Sequence, residues 1–137
     1  MITIIVYKHQ QGKPNSGNKN PKLSEKQPPT KLVYICSPLK GDIERNRAKA
    51  RIYCRFAFNK GYLPVAPHIY FTQFLNEHNK EERVAGLEYG LEIVRQCKQL
   101  WVFGERISEG MKAEIALAKE LRLPIRYFDS DMEEISV

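Results

Sequence analysis

Apolar residues fall along this chain in short blocks set between longer, mixed segments. Residues 32–36 (LVYIC) form a continuous apolar run, as a strand buried on both faces requires, and residues 99–103 (QLWVF) read as the next buried strand. Residues 124–128 (PIRYF) read as a further strand. So do residues 62–66, but Pro64 lies inside them and Pro67 closes them. Proline cannot donate to a sheet ladder, so this strand is expected at an edge. Helical spacing recurs between the blocks. Ala48, Ile52, Phe56 and Ala57 predict a helix over 42–59, ended by Gly61. Val84, Leu87, Leu91 and Val94 predict another over 79–97, and a third starts near Ser108, a good N-cap, and runs to Arg122. Residues 68–77 read as a short helix or loop with exposed aromatics.

Strands alternating with helices over short loops imply right-handed crossovers and a mainly parallel sheet. The expected fold is α/β, three-layered and flavodoxin- or Rossmann-like, with a sheet of four to five strands. The fifth would be residues 2–7 (ITIIVY), either docked on the sheet edge or frayed. A polar stretch follows at 8–30, punctuated by Gly, Pro and Asn, which reads as a flexible linker. The chain therefore divides into an N-terminal strand and basic linker (1–31), one domain (32–129) and an acidic tail (130–137).

Composition narrows the function classes. The chain has 137 residues, a length suited to one core. Its longest apolar runs, Ile2–Tyr7 and Leu100–Phe103, fall far short of the roughly 20 residues that span a bilayer. Neither a membrane role nor a secretory signal is expected. Cys36, Cys54 and Cys97 are scattered, and with His9, His68 and His78 they supply no metal-ligand spacing. A reducing, cytoplasmic setting without metal or organic cofactor is expected. The net charge of +6 invites a nucleic-acid reading, but residues 1–31 carry six lysines against Glu25 alone, net +5. The remaining residues, 32–137, are left nearly neutral at +1. Nucleic acid is therefore expected to meet at most weak contacts with the tail.

In such folds ligands bind at the carboxyl ends of the strands where the strand order reverses, which singles out residues 37–41 and 104–110. The first loop reads Ser37-Pro38-Leu39-Lys40-Gly41 and opens onto a helix. Backbone N–H groups, Lys40 and the Ser37 hydroxyl would suit an anion there, although an ordinary turn with a solvated lysine fits as well. In the second segment, Glu114 has Gly110, Met111, Leu117, Ala118 and Leu121 as its helical neighbours. That is the apolar face, so its carboxylate should turn toward the sheet. Such a group is either a functional acid or half of a buried ion pair. Tyr34, on a central strand, is either a core aromatic or a hydroxyl that holds Glu114 in place. His68, Tyr70 and Phe71 could stack on a base or simply pack at the surface. Trp101 reads as core.

From Leu32 to Phe128 these residues resemble the nucleoside 2-deoxyribosyltransferase-like superfamily, which includes 2'-deoxynucleoside 5'-phosphate N-hydrolases. Tyr34 matches that family's first-strand tyrosine, and Glu114, four residues after Gly110, matches its nucleophilic glutamate. Six residues before that glutamate the transferases carry Asp and the phosphate-requiring hydrolases Ser; here it is Ser108. Ser37, Lys40 and Gly41 match the hydrolases' phosphate loop. The resemblance implies cleavage or transfer at the N-glycosidic bond of a (deoxy)nucleoside 5'-monophosphate. Glu114 would be the nucleophile, Tyr34 its orienter, Ser37, Lys40, Gly41, Ser108 and Gly110 the phosphate site, and His68 and Tyr70 the base contacts. It also implies a homo-oligomer. In style the WVFG and ISEGMKAEI strings are similar to an uncharacterised branch common in phages and mobile elements. Two departures stand out: Gly90 and Lys98 occupy positions where the family carries Asp. They keep open one alternative, a non-catalytic nucleotide-binding or sensing module; the basic tail and the mobile-element likeness keep open another, an inhibitor that works through a protein partner.

Overall fold

The structure is a computed structural model and describes residues 31–137. The strand expected at 2–7 and the linker at 8–30 lie outside the described residues. The element order is β1 (Leu32–Cys36), α1 (Ile43–Asn59), β2 (Leu63–Val65), α2 (Pro67–Phe71), α3 (Lys80–Gln96), β3 (Gln99–Phe103), α4 (Glu109–Glu120), β4 (Ile125–Phe128) and β5 (Glu134–Ile135). The strands form one sheet in the order β2-β1-β3-β4-β5. The first four are parallel, with Tyr34 beside Leu100 and Val102 beside Tyr127, and β5 runs antiparallel to β4. The expected α/β architecture is thus present, and β2, with Pro64, takes the expected edge.

Alternation along the strands divides the core into two layers. Val33, Ile35, Trp101, Phe103 and Phe128 face α1 and meet Tyr53 and Ala57. Tyr34, Cys36, Leu100 and Val102 face α3 and α4, against Val94, Met111, Ile115 and Ala118. Each long helix begins on a side-chain cap that satisfies otherwise free N–H groups: Asp42 for α1, Asn79 for α3 and Ser108 for α4. Gly61 ends α1 with φ +87°, a conformation that a residue with a Cβ rarely adopts.

Three expectations change. The buried stripe of α1 is Ala50, Tyr53 and Ala57, while Ile52 is 53% exposed. Tyr53 takes the inward place because its ring stacks on Phe103, with centroids 4.3 Å apart. On α3, Val84 and Leu87 are exposed and only Gly90 and Val94 are buried, because the first half of that helix borders a cleft rather than the core. The fifth strand comes from the C-terminal segment that reads as an acidic tail. Asp129 turns the chain there, its Oδ1 accepting from the N–H groups of Asp131 and Glu133 at 2.9 and 3.0 Å. Arg126 then receives Glu134 through two hydrogen bonds of 2.9 and 2.6 Å, so the acidic residue is what docks the strand.

Candidate active site

A cavity of about 360 Å³ opens at the carboxyl end of β1, between α2, α3 and α4. At its floor the Tyr34 hydroxyl donates to Glu114 Oε1 at 2.7 Å. The two side chains meet for a reason visible in the elements. Tyr34 is an even position on β1 and so faces α4, and Glu114 is on the sheet-facing stripe of α4. Among the described residues Glu114 has no ion pair, so the buried-ion-pair alternative is not the arrangement found.

The electrostatics follow from this burial. Desolvation pushes the Glu114 carboxyl above the ordinary carboxylate range, only partly offset by hydrogen bonds from Tyr34 and the neighbouring Cys36 thiol. Burial, and then the Glu114 charge, raise both Tyr34 and Cys36, so each stays protonated and able to donate. A carboxylate held by a tyrosine and lining a cleft is poised either to attack an electrophilic carbon or to shuttle a proton.

Gly90 touches this pair. A Cβ built there would stand 3.2 Å from the Tyr34 oxygen and 3.8 Å from Glu114 Oε1. The position is therefore in direct contact with the dyad, and glycine leaves that space empty. Glu92, near it in sequence, is tied to Arg95 at the surface at 3.1 Å and takes no part.

Ser37 and His68 also come together: Ser37 Oγ and His68 Nε2 are 3.1 Å apart on the cleft wall. Lys40, Ser108 and Gly110 line the same cavity. Ser108 caps α4, its Oγ accepting from the Met111 N–H at 3.3 Å. Gly110 lets α3 approach, since a Cβ there would lie 3.3 Å from Leu87. Gly41 and Tyr70 lie elsewhere. Gly41 borders a second cavity, and Tyr70 is 64% exposed, packed on Phe71 and Phe74. Phe71 lines the cleft in its place, because successive helical residues turn by about 100°.

Two lining residues, Arg83 and Gly86, escaped the sequence reading. With Leu87, Gly90 and Leu91 they form one stripe of α3 on the cleft, spaced i, i+3, i+4, i+7 and i+8. The polar Arg83 at the head of an otherwise apolar stripe was the available signal. Cys36 against Glu114 had none. Among the described residues no group of three or more His, Cys, Asp or Glu could hold a metal, and no helix is long and apolar enough to cross a membrane.

Burial lowers His68 to a pKa of about 4. Between pH 6.5 and 4 the unfolded chain binds a proton at His68 that the folded chain refuses, so this residue's contribution to stability is lost as pH falls through that window. The full shift corresponds to an upper bound of about 3 kcal/mol, reduced by whatever water screens the cleft. Urea unfolding at pH 7 and pH 4.5 should show His68→Gln losing distinctly less stability than wild type on acidification. An equal loss would mean that the imidazole is not held neutral.

Residues 31–128 match the family model described as a domain of unknown function, DUF7768, and the chain belongs to that family. No curated protein matches the chain. Among solved structures it is similar to a 2-deoxyribosyltransferase from the psychrotolerant bacterium Bacillus psychrosaccharolyticus, at 18% identity, 77% coverage of each chain and a TM-score of 0.55. The fold is thus that of a nucleoside deoxyribosyltransferase.

Proposed function

We propose that this DUF7768 chain cleaves or transfers the N-glycosidic bond of a (deoxy)nucleoside 5'-monophosphate. The observation that carries the reading is Glu114: a carboxylate raised in pKa by burial, one oxygen held at 2.7 Å by a tyrosine, at the floor of a cleft. Its free oxygen attacks the anomeric carbon as the bond to the base breaks, giving a glycosyl ester on Glu114. Water then opens the ester, the sugar keeps the water oxygen, and the departing base takes the proton that balances the step. In transfer, a second base replaces the water. This is the covalent route of retaining glycosidases, with one carboxylate as nucleophile. Ser37, Lys40 and Ser108 at the mouth hold the 5'-phosphate, and His68, kept neutral, orients Ser37.

Incubation with each common deoxynucleoside monophosphate, followed by chromatography for free base, tests the proposal. Release from at least one is expected; release from none sinks it. Tyr34→Phe should lower kcat by about 10- to 100-fold with little change in KM. The lost hydrogen bond positions the nucleophile, and a positioning error of this kind costs rate rather than affinity. A KM effect alone would make Tyr34 a binding residue.

Gly90 favours one second reading, binding of the nucleotide without cleavage. Position 90 touches Glu114 and Tyr34 yet supplies no acid to assist the departing base. Thermal stabilisation by a nucleotide with no base released would select it.

A further inference from the structure

We infer that a second cavity beside the cleft takes the outer phosphates of a nucleoside 5'-triphosphate, so that one ligand spans both. The inference rests on the nucleotide reading of the cleft and extends its substrate class beyond monophosphates.

The second cavity has a volume of about 730 Å³ and lies on the α1 side of the sheet, between the loops that follow β1 and β3. These loops part at the switch point: the chain crosses from β1 toward β2 on one side, and from β3 toward β4 on the other. Four cations line the cavity: Lys40, Arg45, Lys49 and Arg106. Two acids, Asp42 and Glu105, oppose them, and Asp42 is engaged in capping α1 through the Arg45 N–H at 3.1 Å. Among the described residues none of the four cations forms an ion pair. Arg45 and Lys49 stand at i and i+4 on α1, where like charges repel. An anion between them removes that repulsion.

What joins this cavity to the cleft is shared wall. Ser37, Lys40 and Ser108 line both. Lys40 sits at the rim on a loop held by Asn46, whose Nδ2 donates to the Leu39 and Lys40 carbonyl oxygens at 2.9 and 3.2 Å. A phosphate at the rim in reach of Lys40 has its next phosphates directed toward Arg45, Lys49 and Arg106. Those three line the second cavity and not the cleft, so a monophosphate in the cleft leaves them unused. A polyphosphate uses all four. Arginine suits this task because its planar fork matches two phosphate oxygens at once.

Calorimetric titration of the full chain tests this with the mono- and triphosphates of each common deoxynucleoside, and with inorganic tripolyphosphate. Triphosphates should bind at least tenfold more tightly than their monophosphates, and more tightly than tripolyphosphate. The Arg45→Ala/Lys49→Ala variant should remove the triphosphate advantage and leave monophosphate affinity within twofold. Arg106→Ala, on the opposite loop, should reduce the same advantage and guards against a folding effect confined to α1. Four results overturn the inference: equal affinity for mono- and triphosphates, equal weakening of both in the variants, tripolyphosphate matching the triphosphates, or no nucleotide bound. Base release from monophosphates without a triphosphate advantage removes this inference alone. The advantage without base release removes the glycosidic reading alone.

Discussion

Replacing Glu114 with glutamine should abolish base release, by about 10³-fold or more, and at the same time raise the melting temperature at pH 7. The first effect is the scale on which removing a catalytic nucleophile lowers kcat. The second follows from the raised pKa. A carboxyl whose folded pKa lies above its unfolded value contributes stability below the unfolded value, and loses it as pH rises through the folded one. At pH 7 Glu114 is therefore a burden on the fold, and a side chain of the same shape that never ionises relieves it. Glutamine can still accept from Tyr34. The stability gap should close below about pH 4.5, where the unfolded chain also protonates its glutamates. Melting curves of both proteins at pH 7 and pH 4, run beside the base-release assay, separate the two effects. An inactive variant less stable than wild type at pH 7 would make Glu114 structural.

The largest stability effect should come from Trp101→Ala, about 3–5 kcal/mol by the cavity such a truncation leaves. Trp101 is fully buried, and its ring meets Tyr62, Phe128 and Phe56 at centroid distances of 4.7, 5.1 and 6.2 Å. The Arg126 guanidinium covers it at 4.6 Å, and its Nε1–H donates to Gln99 Oε1 at 2.9 Å. Truncation thus breaks an aromatic cluster, a cation–π contact and a hydrogen bond together. A domain at the low end of ordinary stability, about 5 kcal/mol, survives such a loss only narrowly. Trp101 is the single tryptophan, so the variant's unfolding is followed by circular dichroism and that of wild type by fluorescence. A loss under about 1 kcal/mol would contradict this packing argument.

Much of this architecture is legible in the amino-acid order because β1 and β3 are buried on both faces and, past Gln99 at the start of β3, leave no polar position to confuse the pattern. The turn of Glu114 toward the sheet is legible for a related reason, its place on the apolar stripe of α4, but its choice of Tyr34 is indicated by the family resemblance alone. The rest depends on distance. Ser37 meets His68 across 31 positions, and Arg106 faces Arg45 across a crevice that only the crossover connections create. Neither pairing leaves a local signature. The final strand is hidden for another reason. Its residues are acidic, and what docks them is Arg126 and the Asp129 turn rather than any apolar stripe. On α1 the stacking of Tyr53 on Phe103 decides which of two adjacent apolar residues turns inward, and hydrophobicity alone does not rank them.

The sheet's two borders have a bearing on self-association. One is β2, three residues long with a proline at its centre; the other is β5, only two residues and headed by Glu134. Neither offers the run of free N–H and C=O groups that a new strand needs to zip onto. The described domain is therefore protected at both borders from growing by strand addition, the route by which open sheets pass into fibrils. A second copy of this chain, or any other protein that binds the domain, has to meet it through helices and loops, the same surfaces that surround the two cavities.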